Sequence, residues 1–122
     1  MKHLGMAVVT GASSGIGEAT CRSLIRSGYQ VYGLARRTER LLQLQKEFPS
    51  FQFASLDVRD RTAVEAWVAS QKTLLESVTV LVNNAGLAKG VEKMDAAHVE
   101  DWEDMIDTNV KGLLYLVRQF LP

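Results

Sequence analysis

"VVTGASSGIGEA", residues 8–19, passes from an apolar, β-branched run into a helical pattern through three glycines. Met6 to Thr10 suits a strand buried on both faces of a parallel sheet. From Gly15 to Ser27, Ile16, Ala19, Thr20, Ser23 and Leu24 recur at helical spacing, and Gly28 stands where a left-handed cap is expected. A helix that follows a strand this directly leaves its first N–H groups unpaired, and these, with the helix dipole, favour a phosphate. Gly11 would permit the tight turn, Gly15 would leave room for a pyrophosphate, and Gly17 would let the helix pack closely on the sheet. No Gly-Lys-Ser/Thr follows, which disfavours a P-loop nucleoside triphosphatase and leaves a dinucleotide as the expected ligand.

The alternation continues along the chain. Gln30 to Ala35 reads as a second strand. Thr38 to Phe48 reads as a helix with Leu41, Leu42 and Leu44 inward, stopped by Pro49. Phe51 to Leu56 reads as a third strand, followed by a helix capped by Asp60, supported by Glu65 and carrying Val64, Trp67, Val68 and Leu75 on one face. Val78 to Val82 is a fourth strand ending at "NNAG", and the last helix runs from about Val99 to Leu121, where Gly112 is expected to bend it. Strands alternating with helices predict a three-layer α/β fold around a mostly parallel sheet, with residues 1–122 forming one domain.

Composition narrows the function. Hydrophobic residues at 47% and charged residues at 23% are globular proportions, not those of a disordered chain. Fourteen basic residues balance fourteen acidic ones, so no overall field draws nucleic acid or an anionic membrane. Cys21 is the only cysteine, which rules out an internal disulfide, and His3 and His98 lie far apart without a third ligand, so no metal is expected. The apolar run before the glycines is too short for a signal segment or a membrane span, and a soluble cytoplasmic protein is expected.

Arg36 and Arg37 fall nineteen and twenty positions beyond Gly17, where an acidic residue would hold the adenosine ribose of NAD and an arginine would accommodate a 2′-phosphate. Paired guanidinium donors suit a phosphate, so NADP is favoured over NAD, with Ser13 placed to help.

The glycine spacing G-x-x-x-G-x-G, within "TGASSGIG" at 10–17, resembles the short-chain dehydrogenase/reductase family. "LDV" at 56–58, "NNAG" at 83–86 and "NVKG" at 109–112 follow in that family's order. Within it, "LARRTERL" and the last helix look most similar to NADP-dependent reductases and dehydrogenases of 3-hydroxy acids. The resemblance implies a Rossmann-type doubly wound sheet, partial here, in the order 3-2-1-4. It implies cofactor contacts from Thr10, Gly11, Ser13, Ser14, Gly15, Ile16 and Gly17, with Asp57 accepting from the adenine amino group and Val58 beside the ring. Asn83, Ala85 and Gly86 would line the cofactor, although Asn83 and Asn84 equally suit turn residues that cap backbone groups.

Of the family's catalytic set, only Asn109 has a counterpart, resembling the helix asparagine that holds a water in the proton relay; a polar residue at a helix kink reads equally well. The family's proton donor is a Tyr-x-x-x-Lys, one helical turn apart. Here Tyr29, Tyr32 and Tyr115 are followed four residues on by Gly33, Arg36 and Gln119. The chain is therefore expected to be the front, truncated part of such an enzyme, binding NADP(H) and inactive alone. A complementing C-terminal segment or a homo-oligomer would cover the apolar edge of the fourth strand and the apolar last helix, which contributes to a dimer interface in relatives. The alternative is a non-catalytic nucleotide-binding or regulatory module.

Overall fold

The computed structural model describes residues 4–87 and 93–121. Four strands, β1 (Met6–Thr10), β2 (Gln30–Ala35), β3 (Gln52–Ser55) and β4 (Val78–Val82), pair in parallel in the order β3-β2-β1-β4. The connections are α1 (Gly15–Arg26), α2 (Glu39–Glu47), α3 (Arg61–Ser70) and the short α4 (Lys72–Leu75). After β4 come one 3-10 turn (Met94–Ala96), α5 (Val99–Ile106), a wide π turn (Asp107–Gly112) and α6 (Leu113–Phe120). This is the expected Rossmann-type sheet.

All five residues of β1 are buried, which places it at the centre. Met6 and Val8 join Tyr32, Leu34, Val64, Trp67 and Leu116 on one face; Ala7 and Val9 join Cys21, Val31, Leu41, Leu44 and Phe51 on the other. Helices α3 and α6 thus cover one side of the sheet and α1 and α2 the other. Because every strand runs the same way, the loops after all four strands meet at one edge of the sheet.

Several local expectations shift. The inward stripe of α1 lies one residue on from the small and apolar positions whose spacing marks the helix: Gly17 and Cys21 are buried and Leu24 and Ile25 pack on the core, whereas Ile16 is 77% exposed and Ala19 and Ser23 are also exposed. The turn from β1 points Gly17 at the Gly11 carbonyl, and the remaining positions follow the helical repeat from there. In α2, Leu41 and Leu44 face the core but Leu42 faces outward. Phe51 and Leu56 fall outside β3, although both are buried. Asp60 caps α3 as expected, its Oδ1 accepting from Ala63 N at 3.1 Å, while Glu65 pairs with Arg61 at 2.9 Å; the helix then breaks at Gln71 before Leu75. Gly28 takes the left-handed conformation expected of it, with φ +104°.

Gly112 stands at an irregularity within the last helix. Its backbone is helical (φ −59°, ψ −43°), and the irregularity is the π turn that it closes. Its lack of a side chain has another cause: a Cβ there would meet Val58 Cγ2 at 2.6 Å, so the helix crosses the loop after β3 at close range.

Candidate functional site

The loops after β1 to β4 enclose a groove. Gly11 turns the chain out of β1 with φ +62°, a conformation that a side chain would strain. Ser14 occupies the N-cap of α1, yet its hydroxyl donates to the Gly11 carbonyl at 3.0 Å and makes no cap bond, so the Ser14 side chain does not screen the first-turn N–H groups of the helix. At Gly15 nothing lies within 4 Å of the place a Cβ would take. Gly17 is the reverse case: a Cβ would collide with Gly11 O and stand 2.6 Å from Asn84 Nδ2. The spacing of the three glycines thus serves one turn, one open space and one tight contact.

The loop is tied to the segment after β4. Thr10 is buried, and its Oγ1 accepts from Ala85 N at 2.9 Å and donates to Val82 O at 3.4 Å. Asn84 Nδ2 donates to Gly11 O at 3.1 Å. Asn84 is the member of the asparagine pair that braces the glycine loop, in keeping with the reading of the pair as residues that cap backbone groups, whereas the cofactor contact is expected of Asn83. Thr10 and Gly17 shape the site from beneath, whereas Gly11, Ser13, Ser14, Ala85 and Gly86 line the groove. Gly15 and Ile16 stand exposed at the start of α1 and Asn83 is half-buried; none of the three is in the wall.

Arg36 and Arg37 close the far end, exposed and, among the described residues, in no ion pair. Ser55 Oγ donates to Arg36 O at 3.0 Å, fixing that backbone against β3. Asp57 and Val58 line the groove beside Leu34 and Leu56, and Leu87 and Thr108 complete it.

Sequence reasoning missed Arg59. Its Nε and backbone N donate to Asp57 Oδ1, each at 3.0 Å, its Nη2 to Asp57 Oδ2 at 2.8 Å, and its Nη1 to Asp104 Oδ1 at 3.0 Å. The Arg59 guanidinium holds the Asp57 carboxyl below the usual carboxylate range, against the opposing effect of partial burial. The signal was present in "LDVRD", an acid and a base two residues apart, but its partner Asp104 is 45 residues away.

Asn109 lies in the π turn and bonds the backbone of Leu87, beside the groove. Cys21 takes no part: burial, and then Glu18, push its thiol up to about 12. No group of histidine, cysteine, aspartate or glutamate suited to a metal occurs among the described residues, and no described helix is long and apolar enough to cross a membrane.

Residues 5–122 match the family model for short chain dehydrogenases. The NADP-dependent 3-hydroxy acid dehydrogenase YdfG of Escherichia coli (strain K12) is 48% identical over 116 residues, covering 94% of this chain and 47% of that protein. The serine 3-dehydrogenase of Agrobacterium fabrum is 39% identical over 119 residues, covering 97% of this chain and 48% of that protein. The chain thus spans about half the length of the curated relatives it matches. Among solved structures, the closed form of serine dehydrogenase complexed with NADP+ superposes with a TM-score of 0.89 at 48% identity, over 96% of this chain and 48% of that one.

Proposed function

The chain belongs to the short-chain dehydrogenase family, and from that premise we propose that it is the NADP-binding portion of an oxidoreductase that moves a hydride between NADP(H) and a small hydroxy or carbonyl compound. The observation that carries this reading is the groove itself. Open space at Gly15, first-turn N–H groups without a side-chain cap and the guanidinium groups of Arg36 and Arg37, in no ion pair among the described residues, form a donor set for a pyrophosphate and a 2′-phosphate on one edge of the sheet. A relative of nearly half-identical sequence is NADP-dependent by name, and a superposable structure holds NADP+.

In this proposal the first turn of α1 receives the pyrophosphate, with Gly11, Ser13, Ser14, Gly15, Ile16 and Gly17 shaping that turn and Thr10 bracing it. Arg36 and Arg37 receive the 2′-phosphate. Asp57 accepts from the adenine amino group while Val58 covers the ring, Ala85 and Gly86 continue the wall, and Asn83 stands behind them at the end of β4. The bound nicotinamide supplies the hydride. A proton donor of the Tyr-x-x-x-Lys kind is not among these 122 residues, so the chain by itself binds and does not turn over. That same observation favours a second reading, a nucleotide-binding module without chemistry.

The free edge of β4 and the exposed Ile106, Val110 and Leu114 call for a cover, which we propose to be a further chain segment or a second copy. Sedimentation of the isolated chain should show concentration-dependent association; a stable monomer with a high melting temperature would remove this part.

Calorimetric titration with NADPH and NADH tests the main reading. Saturable binding of NADPH in preference to NADH is expected, and no binding of either overturns it. An NADPH oxidation assay with small carbonyl compounds separates the two readings of the chemistry: turnover by this chain alone contradicts its lacking a proton donor.

A further inference from the structure

Asp57 is on the groove wall, and Arg59 is not, yet Arg59 determines how Asp57 can present itself. Three donors of Arg59 reach the two Asp57 oxygens, and the fourth, Nη1, is anchored on Asp104 of α5. A forked guanidinium fixes the plane of the carboxylate it grips, and an ionised carboxylate offers only acceptors. Val58, between them, is held by its close packing against Gly112. The loop after β3 is therefore secured at Arg59 by an ion pair and at Val58 by contact with the last helix.

We infer that Arg59, braced by Asp104, is a positioning residue that keeps Asp57 a fixed hydrogen-bond acceptor, and that it thereby selects a purine with an exocyclic amino group over one with a 6-oxo group. The inference rests on the proposed NADP reading of the groove. A free carboxyl group could rotate, and once protonated it could donate to a 6-oxo oxygen; the fork prevents the first and opposes the second. The charged groups that act on this unit are Arg59 and Arg36 on Asp57, and Asp57, Asp104 and Asp107 on Arg59. Without Arg59, the Asp57 carboxyl would titrate nearer its ordinary range and would be free to rotate.

The test is calorimetric titration of the whole chain with NADP+ and with its deaminated analogue, nicotinamide hypoxanthine dinucleotide phosphate, which differs only at the base. The unaltered chain should prefer NADP+ by about tenfold at both pH 7 and pH 5. Arg59→Met should cut that preference severalfold, and Asp104→Asn, which leaves the Asp57 fork in place, should cut it less. The ratio of the two ligands is unaffected by a general loss of fold, which lowers both affinities together. Should Arg59→Met fail to fold, a reduced preference in Asp104→Asn supports the brace and an unchanged one overturns it. If the unaltered chain binds both ligands and a folded Arg59→Met keeps the original preference, the inference fails while the NADP reading stands. If the unaltered chain binds neither, both fall.

Discussion

The carboxamide of Asn109 is bonded twice to the backbone of Leu87: Oδ1 accepts from Leu87 N at 2.8 Å and Nδ2 donates to Leu87 O at 2.9 Å. A side chain in the π turn thereby completes the hydrogen bonding of the segment that leaves β4, much as a neighbouring strand would. Asn109→Ala should release the Leu87 amide and lower stability by about 1 kcal/mol, a modest figure because Asn109 is exposed. Hydrogen exchange at Leu87 is the direct check. An unchanged exchange rate in the variant would mean that the pair carries no weight.

Gly15 and Gly17 should respond oppositely to the same methyl group. Gly17→Ala forces a Cβ against Gly11 O and Asn84 Nδ2, which should cost about 1–3 kcal/mol of stability in a urea melt. Gly15→Ala enters open space in a helical first turn, so the melt should hold or improve slightly. The added methyl would occupy the proposed pyrophosphate position, and binding of NADPH should fall sharply. Retained binding in Gly15→Ala would argue that the phosphates lie elsewhere.

Arg36→Ala should weaken NADPH about tenfold or more, as expected for losing a charge-assisted contact to phosphate, while NADH changes little. Calorimetry with both cofactors reads the difference. Equal losses for the two would remove the 2′-phosphate assignment, since only NADPH carries that group.

Much of the fold was legible because its signals are local. Met6 to Thr10 is an unbroken apolar run, and burial on both faces of a central parallel strand follows from that pattern. What failed locally was set by contacts distant in sequence. The rotation of α1 about its axis depends on Gly17 meeting Gly11 and Asn84, and Asn84 lies 67 positions further on, so helical spacing alone does not show that Ile16 faces outward. Gly112 marks an irregularity in the last helix that the sequence shows as a glycine within a helical pattern; the close approach of Val58 to it, across the molecule, no local pattern records. At the site, Arg36, Arg37 and the glycines were visible as residue types at fixed offsets. Arg59 was not, because its role is a bridge to Asp104 that no short motif records.

The central claim is that the groove between the glycine loop, Arg36, Asp57 and Ala85 holds the adenosine half of NADP. Titration of the isotopically labelled chain with NADPH, followed by amide chemical shifts, tests it most directly. The account predicts shifts concentrated at Gly11, Ser13, Ser14, Arg36, Arg37, Asp57, Val58, Ala85 and Gly86, saturating together. Shifts centred instead on the cleft between α3 and α6, lined by Arg61, Tyr115 and Arg118, or no saturable shifts at all, would contradict it.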